Sequence, residues 1–347
     1  MASDTSRAHT GFTIGVLRKK LSPYAKADRR MAFVQLINTF VPYLVLWIVL
    51  LFLVKRQYPL WVILPLIFMA SLFLVRIFIF FHDCAHNSFF SSRRANIILG
   101  YICGILTFTT FHEWQHNHLV HHGTYADLDH RGVGDIWTLT LEEYRSASGI
   151  KRISYRLYRS PFVFLGIGPG YFFLIAQRLM HAWKGRGERY SIWITNLSIL
   201  GIVWVFSVTI GLKTYLITAL PVILLAGAIG VWLFYVQHQF EGVYWSRHQD
   251  WDPVKAALAG SSYYKLPRVL QWFTGNIGLH HIHHVLPRIP NYKLQKCYDE
   301  SPVMQEVTPL TLRKSLRSLW LNLWDEHEQK LVSFRALKSP SVIRGAG

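Results

Sequence analysis

Residues 57–86 read QYPLWVILPLIFMASLFLVRIFIFFHDCAH, an apolar run that ends in two histidines four positions apart. From Gln57 to Phe80 the run contains a single charged residue, Arg76. At about 1.5 Å of rise per residue, such a helix is long enough to cross the roughly 30 Å hydrocarbon layer of a bilayer. The stretch therefore predicts a membrane span that leads into His82 and His86. The long Arg76 side chain is expected to reach the membrane interface as an anchor.

Three more apolar windows have the same character, and the four windows form two closely joined pairs. Their boundaries predict membrane spans at residues 33–54, 57–80, 190–212 and 214–237. Because joins of a few residues make consecutive helices antiparallel neighbours, each pair predicts a helical hairpin. The sequence therefore predicts an all-α integral membrane fold with four transmembrane helices in two hairpins.

The charged residues are distributed unequally along the chain. Lys and Arg number 37 against 19 Asp and Glu, so the formal charge is +18 although 51% of the 347 residues are hydrophobic. Seven basic residues precede the first span, 12 lie in residues 82–189 and 14 follow residue 237, whereas the two opposite joins hold only Lys55, Arg56 and Lys213. By the positive-inside rule, both termini and the central segment are cytoplasmic. Because the basic residues follow this topology and form no isolated patch, we expect no nucleic-acid partner.

Composition also divides the chain into three parts. Residues 1–32 are polar and basic, with no apolar core of a signal peptide, and are expected to form a cytoplasmic N-terminal segment. Residues 33–300 form the membrane domain. Residues 301–347 form a cytoplasmic C-terminal tail, in which the mixed pattern from Leu310 to Leu331 predicts a helix.

Eleven of the seventeen histidines are concentrated in three short windows. Within the windows the spacings i, i+3 and i+4 recur, which place side chains on one face of a helix. Three sets have this spacing, and we call them box one (His82 and His86), box two (His118, His121 and His122) and box three (His280, His283 and His284). The remaining histidines of the windows are His112, His116 and His281.

The eight box histidines are more ligands than one tetrahedral zinc ion uses. Two metal ions of higher coordination number would use all of them. Imidazole binds iron, zinc, copper and nickel, so the ligand type alone leaves the metal open. The number of ligands and the membrane setting favour a pair of irons.

Two further apolar windows, Ala95–Phe111 and Ser160–Gln177, are close to the lower length limit for a span. If either window crossed the membrane once, the boxes would lie on opposite sides and could not share a metal centre. The second window also has two prolines and three glycines between residues 161 and 170, which are expected to end a helix early. We therefore predict that both windows are interfacial or re-entrant segments.

The boxes and their placement match a known pattern. The segments HDCAH (82–86), HLVHH (118–122) and HHIHH (280–284), separated by an apolar hairpin, closely resemble the three histidine boxes of membrane fatty-acid desaturases. The resemblance covers about residues 30–300. Residues 275–292, GNIGLHHIHHVLPRIPNY, look like those of bacterial acyl-lipid desaturases of the delta-12 and delta-5 type.

This resemblance implies a fatty-acyl desaturase that uses dioxygen as co-substrate to introduce a cis double bond at a di-iron centre. It implies a cytoplasmic helical cap that carries the two irons, a fatty-acyl lipid substrate and location in the bacterial inner membrane. It also implies one more ligand between the last span and box three, where His238 stands. The expected iron ligands are His82, His86, His118, His121, His122, His238, His280, His283 and His284.

The resemblance implies that the reaction takes electrons from outside the chain. Cys84, Cys103 and Cys297 form no CxxC pair, and the sequence has no haem-binding His-Pro-Gly-Gly and no dinucleotide-binding glycine motif. We therefore expect an external electron donor of the ferredoxin or flavodoxin type. The basic cytoplasmic surface would attract such an acidic protein, and it would equally bind anionic membrane lipids.

Several polar residues near the boxes are candidates for positioning the ligands. Metal-bound imidazoles usually donate their second N–H to a carboxylate or carbonyl oxygen. The candidates for this role are Asp83, Glu113, Asp129, Asp135 and Asn276. The alternative is that these residues cap helices or lie in solvated loops.

Three other functions stay open at this point. His112, Glu113 and His116 match the HExxH motif of zinc proteases, although a membrane zinc protease leaves boxes one and three unexplained. A di-iron membrane hydroxylase is compatible with the same boxes, since their spacing does not distinguish hydroxylation from desaturation. A metal transporter would need ionisable residues inside the spans, and only Arg76 is of that kind.

Overall fold

The computed structural model describes residues 11–179 and 185–338, so the ends of the two predicted terminal segments lie outside the described residues. The described chain is mostly helical, and its strands have two or three residues each. The α-helices are α1 (Ile14–Leu21), α2 (Arg29–Lys55), α3 (Leu60–Ala85), α4 (Arg93–Leu106), α5 (Phe111–Thr124), α6 (Leu141–Ser146), α7 (Gly149–Tyr158), α8 (Gly168–Leu174), α9 (Arg186–Thr209), α10 (Leu212–His238), α11 (Pro253–Leu258), α12 (Arg268–Phe273), α13 (His280–Val285), α14 (Asn291–Glu300), α15 (Pro302–Gln305) and α16 (Leu312–Ser315). The strands are β1 (Leu139–Thr140), β2 (Tyr263–Lys265), β3 (Pro309–Thr311), β4 (Leu323–Asp325) and β5 (Lys330–Val332).

Four of the described helices, α2, α3, α9 and α10, are long and apolar enough to cross a membrane. They overlap the four windows in which spans were predicted, with ends that differ by one to five residues. Helix α3 has 26 residues, or about 39 Å at 1.5 Å per residue, which exceeds the roughly 30 Å of a hydrocarbon layer. The helix continues past Phe80, where the predicted span ends, to Ala85. Box one thus lies at the end of the helix, beyond the predicted span.

The two shorter windows form bent helix pairs. Helix α4 meets α5 at 101°, and α7 meets the helical segment Phe162–Arg178 at 61°; counting each pair as one span gives up to six. The 14 residues of α4 extend over only about 21 Å, too short to cross alone. The prediction that prolines and glycines end the second helix early was wrong in detail. The chain changes helix type instead, with a π-helix at Phe162–Ile167 before α8.

Helix α3 lies at the centre of the packing, in contact with α2, α4 and α10. From Ala70 to Ala85 all its side chains except Phe78 are buried. Helix α9, by contrast, exposes large apolar side chains such as Leu200 and Trp204. Exposed apolar side chains on a helix of this length are suited to contact with lipid. The interior helix α3 and the peripheral helix α9 are thus both apolar, but for different reasons.

The position of Arg76 corrects the expectation that this side chain reaches the membrane interface. Its side chain is buried, and its Nε donates a hydrogen bond to the hydroxyl of Thr39 at 3.0 Å. The guanidinium also donates to the backbone carbonyl of Trp272 and lies 4.0 Å from the centre of that indole ring. A buried guanidinium must have its donors satisfied, and here oxygens of α2 and α12 do so. Arg76 therefore links three helices inside the protein.

The prediction of a helix from Leu310 to Leu331 was only partly right. Residues 312–320 are helical, as α16 followed by a 3-10 helix at Leu316–Trp320. Short strands lie on either side of them, because there the backbone pairs with other segments of the chain. Strand β3 pairs in parallel with β2, and β4 lies between β1, to which it is parallel, and β5, to which it is antiparallel. Local propensity does not report such long-range pairing.

Candidate metal centre

Box one lies where α3 ends. His82 occupies its last turn, His86 is the C-cap residue, and both side chains are buried. The next residue, Asn87, has a φ of +54° and turns the chain away from the helix axis. The ring centroids of the two histidines lie 4.8 Å apart, so the i, i+4 spacing places both imidazoles together.

Boxes two and three come from separate helices that meet box one. Box two lies in the C-terminal half of α5, while box three lies on α13, whose six side chains are all buried. His238 is the last residue of α10 and is also buried. Four helices thus bring the nine predicted ligands to one place, although the first and the last of them are about 200 positions apart along the chain.

Five of the nine histidines form a first group, in which one nitrogen atom of each lies within 4.8 Å of those of the others. The Nε2 atoms of His118 and His122 are 3.2 Å apart, and those of His122 and His283 are 2.9 Å apart. The members of this five-histidine group are His82, His86, His118, His122 and His283.

The other four histidines form a second group around His238. Its Nε2 lies 3.1 Å from Nε2 of His121 and 3.0 Å from Nε2 of His280. The Nε2 atoms of His280 and His284 are 3.2 Å apart. We call His121, His238, His280 and His284 the four-histidine group. It contains a member of every box except box one.

Members of both groups are available as neutral ligands. Burial, and then the proximity of other imidazoles, holds the pKa of His118 and His122 well below the usual value for histidine. The same two causes lower the pKa of His283 and His284. Each of these rings is therefore neutral at pH 7 and keeps a lone pair on one nitrogen.

The nitrogen atoms also fit metal ions because they do not satisfy one another. A hydrogen bond between two imidazoles needs an N–H on one side, whereas here Nε2 of His238 lies close to the Nε2 atoms of both His121 and His280, to only one of which it could donate. His82 lacks a hydrogen-bond partner at both ring nitrogens and His86 lacks one at Nε2, although both are buried among the described residues. A cation at the centre of each group would bind all the lone pairs at once. The donor set suits iron or zinc.

Asp135 contacts a box histidine directly. Its Oδ1 lies 2.5 Å from Nδ1 of His121, and both side chains are buried. This contact places the proton of His121 on Nδ1, so Nε2 faces His238 with its lone pair. The geometry is the one by which a carboxylate orients a metal-bound imidazole.

Asp83 has a different arrangement. Its Oδ1 lies 3.5 Å from Nδ1 of His82, which makes no hydrogen bond. Its Oδ2 instead accepts hydrogen bonds from the backbone N–H and the side-chain amide of Asn291, at 2.7 and 2.8 Å. Asp83 therefore ties the end of α3 to the start of α14, which follows box three.

The structure does not bring Asp129 to the histidine groups, contrary to the sequence-based expectation. Its side chain is partly exposed, forms an ion pair with Arg247 at 2.7 Å and accepts the backbone N–H of His248 at 2.9 Å. The neighbouring Asp127 accepts hydrogen bonds from the rings of His130 and His248. Asp127 and Asp129 thus fasten this loop to residues 247–248, whereas Asp135 of the same loop contacts box two.

Glu113 and Asn276 have local contacts. Glu113 is buried and accepts a hydrogen bond from the hydroxyl of Thr110 at 3.1 Å. Asn276 has a φ of +58° and accepts, at its carbonyl, the N–H of Leu279 at 2.9 Å. Its side chain donates to the carbonyl of Asn291. Asn276 therefore shapes the turn that precedes box three.

Two aromatic contacts with the histidines were missed by the sequence analysis. The indole of Trp114 stacks on His118 with ring centroids 4.3 Å apart, and the ring of Tyr125 lies 4.1 Å from that of His238. The signal for Trp114 was present, because it precedes His118 by four positions on α5. Tyr125 lies just after α5, where helical spacing gives no information.

Comparison with known proteins gives a consistent result. Residues 58–311 match the family model described as fatty acid desaturase. A fatty acid desaturase of Bacillus subtilis is 45% identical over 322 residues, which cover 93% of this chain and 91% of that protein. The sn-1 acyl-lipid omega-3 desaturases (ferredoxin) of Nostoc sp. and Synechocystis sp. are 25% and 23% identical, and the alignments cover 81% and 66% of this chain and 78% and 65% of those proteins. With its three boxes inside the matched region, the chain belongs to the fatty acid desaturase family and is a membrane oxidoreductase.

Proposed function

We propose that this protein introduces a cis double bond into a fatty-acyl chain, with dioxygen as co-substrate, at two irons held by nine histidines. The observation that carries the proposal is the convergence of nine imidazoles, eight of them buried and one partly buried, in two groups. The five-histidine group would hold one iron and the four-histidine group the other. Bound iron would supply the oxidation of unactivated C–H bonds by dioxygen, which protein acids and bases cannot perform.

The residues of the chain have three tasks in this function. The neutral imidazoles provide lone pairs, and Asp135 fixes the tautomer of His121. The buried setting keeps bulk water from the reacting atoms. Trp114, stacked on His118 and in edge-to-face contact with Phe78, forms an apolar wall beside the five-histidine group. An acyl chain held against such a wall would present one carbon pair to the site.

The proposal includes the arrangement in the membrane. Helices α2 with α3 and α9 with α10 would form two hairpins, and the helices that carry boxes two and three would form a cytoplasmic cap. The distribution of Lys and Arg supports this orientation, with residues 1–32 and 301–347 on the cytoplasmic side of a bacterial inner membrane and residues 33–300 as the membrane domain.

We infer the substrate and the electron donor of this protein from its relatives. The cyanobacterial relatives are described as acyl-lipid desaturases that use ferredoxin. We infer that this protein also acts on the acyl chain of a membrane lipid and takes electrons from a protein of the ferredoxin or flavodoxin type. The basic charge of the proposed cytoplasmic segments supports an acidic donor.

The experiment combines product analysis with metal analysis. The chain is expressed in a host that lacks desaturases, its fatty acids are analysed by gas chromatography and mass spectrometry, and iron is measured in anaerobically purified protein. We expect unsaturated product and about two irons per chain, since two groups of ligands are present. A single zinc ion with no iron and no product would contradict the proposal. A hydroxylated product in place of an unsaturated one would replace it with the hydroxylase alternative.

Three variants test the ligand assignment. His238→Ala and His284→Ala should each lower iron content and eliminate product, because both imidazoles belong to the four-histidine group. His281→Ala is the control, since Nε2 of His281 contacts the backbone carbonyl of Met304 at 3.0 Å and lies outside both groups. It should retain iron. Loss of iron in His281→Ala with normal iron in His238→Ala would show that the assignment is wrong.

A further inference from the structure

A cavity reaches the proposed iron ligands from the side of the N-terminal helix. It has a volume of about 240 Å³ and is partly open to the surface. Its lining includes Ile14, Arg18, His122, Tyr125, Trp251 and His284. Two of these residues are proposed ligands, one from each histidine group. His122 is partly exposed, in contrast to the other members of box two, which are buried.

Helix α1 forms one wall of this cavity and is fixed to box three. Leu17 and Leu21 are completely or almost completely buried against the apolar cluster that contains Ile282 and Val285 of α13. The side chain of Arg18 donates from Nε to the carbonyl of Val285 at 3.0 Å. The position of α1 beside the cavity is thus determined by packing and a hydrogen bond.

The outer face of α1 is strongly basic. Residues 11–30 contain six Lys and Arg against one acidic residue, Asp28. The carboxylate of Asp28 accepts a hydrogen bond from the backbone N–H of Met31 and so caps the start of α2. Arg18, Lys19 and Lys20 are all exposed in the last turn of α1. Such a concentration of one charge attracts an acidic partner and accelerates its association.

We propose that the basic face of α1 and the mouth of this cavity form the docking surface for an acidic one-electron carrier of the ferredoxin class, with electrons entering beside His122 and His284. The proposal rests on the proposed function and names its partner surface. Each turnover converts the acyl –CH2–CH2– unit, dioxygen, two protons and two electrons into –CH=CH– and two molecules of water. Two reduced carriers supply these electrons one at a time, and both carriers leave oxidised.

A binding measurement tests the docking surface without relying on turnover. The probe is an oxidised plant-type [2Fe–2S] ferredoxin, added to the full-length protein in a zwitterionic detergent at low salt. The test variant is Lys19→Glu/Lys20→Glu, which leaves Arg18 and its bond to Val285 intact. The matched control is Lys55→Glu/Arg56→Glu, two exposed basic residues at the join between α2 and α3.

We expect the test variant to raise the Kd for ferredoxin at least about tenfold and the control variant to leave it unchanged. Salt should weaken wild-type binding more than residual binding by the variant, because salt screens exposed charges. Equal effects of the two variants, or no binding by the wild type, would overturn the proposal. The proposal would also be overturned if the test variant lost binding to anionic lipid vesicles but kept its affinity for ferredoxin. In that case α1 would bind lipid headgroups.

Failure of this proposal is distinguishable from failure of the proposed function. Iron content of the wild type, and its product when a photoreduced deazaflavin replaces the protein carrier, report on the function alone. A protein with iron and product but no binding at α1 is a desaturase that receives electrons at another surface. The test variant should also keep its iron content, because Lys19 and Lys20 do not contact the histidine groups.

Discussion

Helix α5 carries two histidine motifs that face in opposite directions. Box two, in its C-terminal half, is directed toward the other boxes, and its three imidazoles belong to the two histidine groups. The HExxH motif, in its N-terminal half, contains His112 and His116 at the same i, i+4 spacing. Yet the side chain of His116 is 62% exposed and lies 3.7 Å from Glu188, and His112 contacts Gln115.

The difference between the two motifs comes from helical phase. An α-helix turns by about 100° per residue, so His112 and His116 lie on the side of α5 opposite to His118 and His121. The packing of α5 directs only the second side toward α3, α10 and α13. Both motifs therefore have a spacing that could bind a metal ion. The neighbouring helices decide that only the histidines of box two meet other histidines. This comparison argues against a zinc protease.

The largest effect is expected when one histidine is removed from each face of α5 and the two variants are compared. His118→Ala should remove iron and reduce product below detection, because it deletes a proposed ligand of the five-histidine group. His116→Ala, two positions away on the same helix, should retain iron and nearly full product. Both are measured as iron per chain and unsaturated fatty acid at equal expression. Similar losses in the two variants would show that position on α5 matters less than total histidine content.

A smaller effect is expected when a ligand is left in place but loses its orienting partner. Asp135→Asn should lower iron affinity by roughly tenfold to a hundredfold, the range for groups that orient metal-bound imidazoles. The reason is the 2.5 Å contact between Asp135 and His121. Competition with a chelator of known iron affinity measures the change. Unaltered affinity would mean that His121 is oriented by packing alone.

A still smaller effect is expected from a change at Glu113 of the HExxH motif. Glu113→Gln keeps an oxygen that accepts the hydrogen bond from Thr110, so product should fall by less than about tenfold, below the range given for orienting groups. A zinc protease would lose all activity on removal of its general base. The measurement is product per iron. Complete inactivity at normal iron content would return Glu113 to a catalytic role.

The smallest effect is expected at Asp129, which lies close to box two in sequence but contacts Arg247. Asp129→Asn should leave iron content and product unchanged, because exposed ion pairs contribute little and this one does not touch the histidine groups. The same assays are applied with Asp135→Asn in parallel. A loss of iron as large as in Asp135→Asn would mean that the loop connects to the ligands in a way that its contacts do not indicate.

Sequence alone was sufficient for features that depend on local pattern. Apolar length defined the four long helices, and spacings of three and four residues placed the histidines of each box on one helical face. His238 was placed only by the family resemblance, because a single histidine has no spacing to interpret. The structure brings it within 3.1 Å of two other imidazoles.

Only the tertiary structure decided the contacts between distant segments. Nothing local distinguishes Asp135, which orients His121, from Asp129, which pairs with Arg247. The same holds for Arg76, which has oxygen partners from α2 and α12, and for the strands that interrupt the helix expected after Leu310. The physical reason is that a polar side chain or an unpaired backbone group takes the nearest partner in space, and helix packing brings these partners from far along the chain.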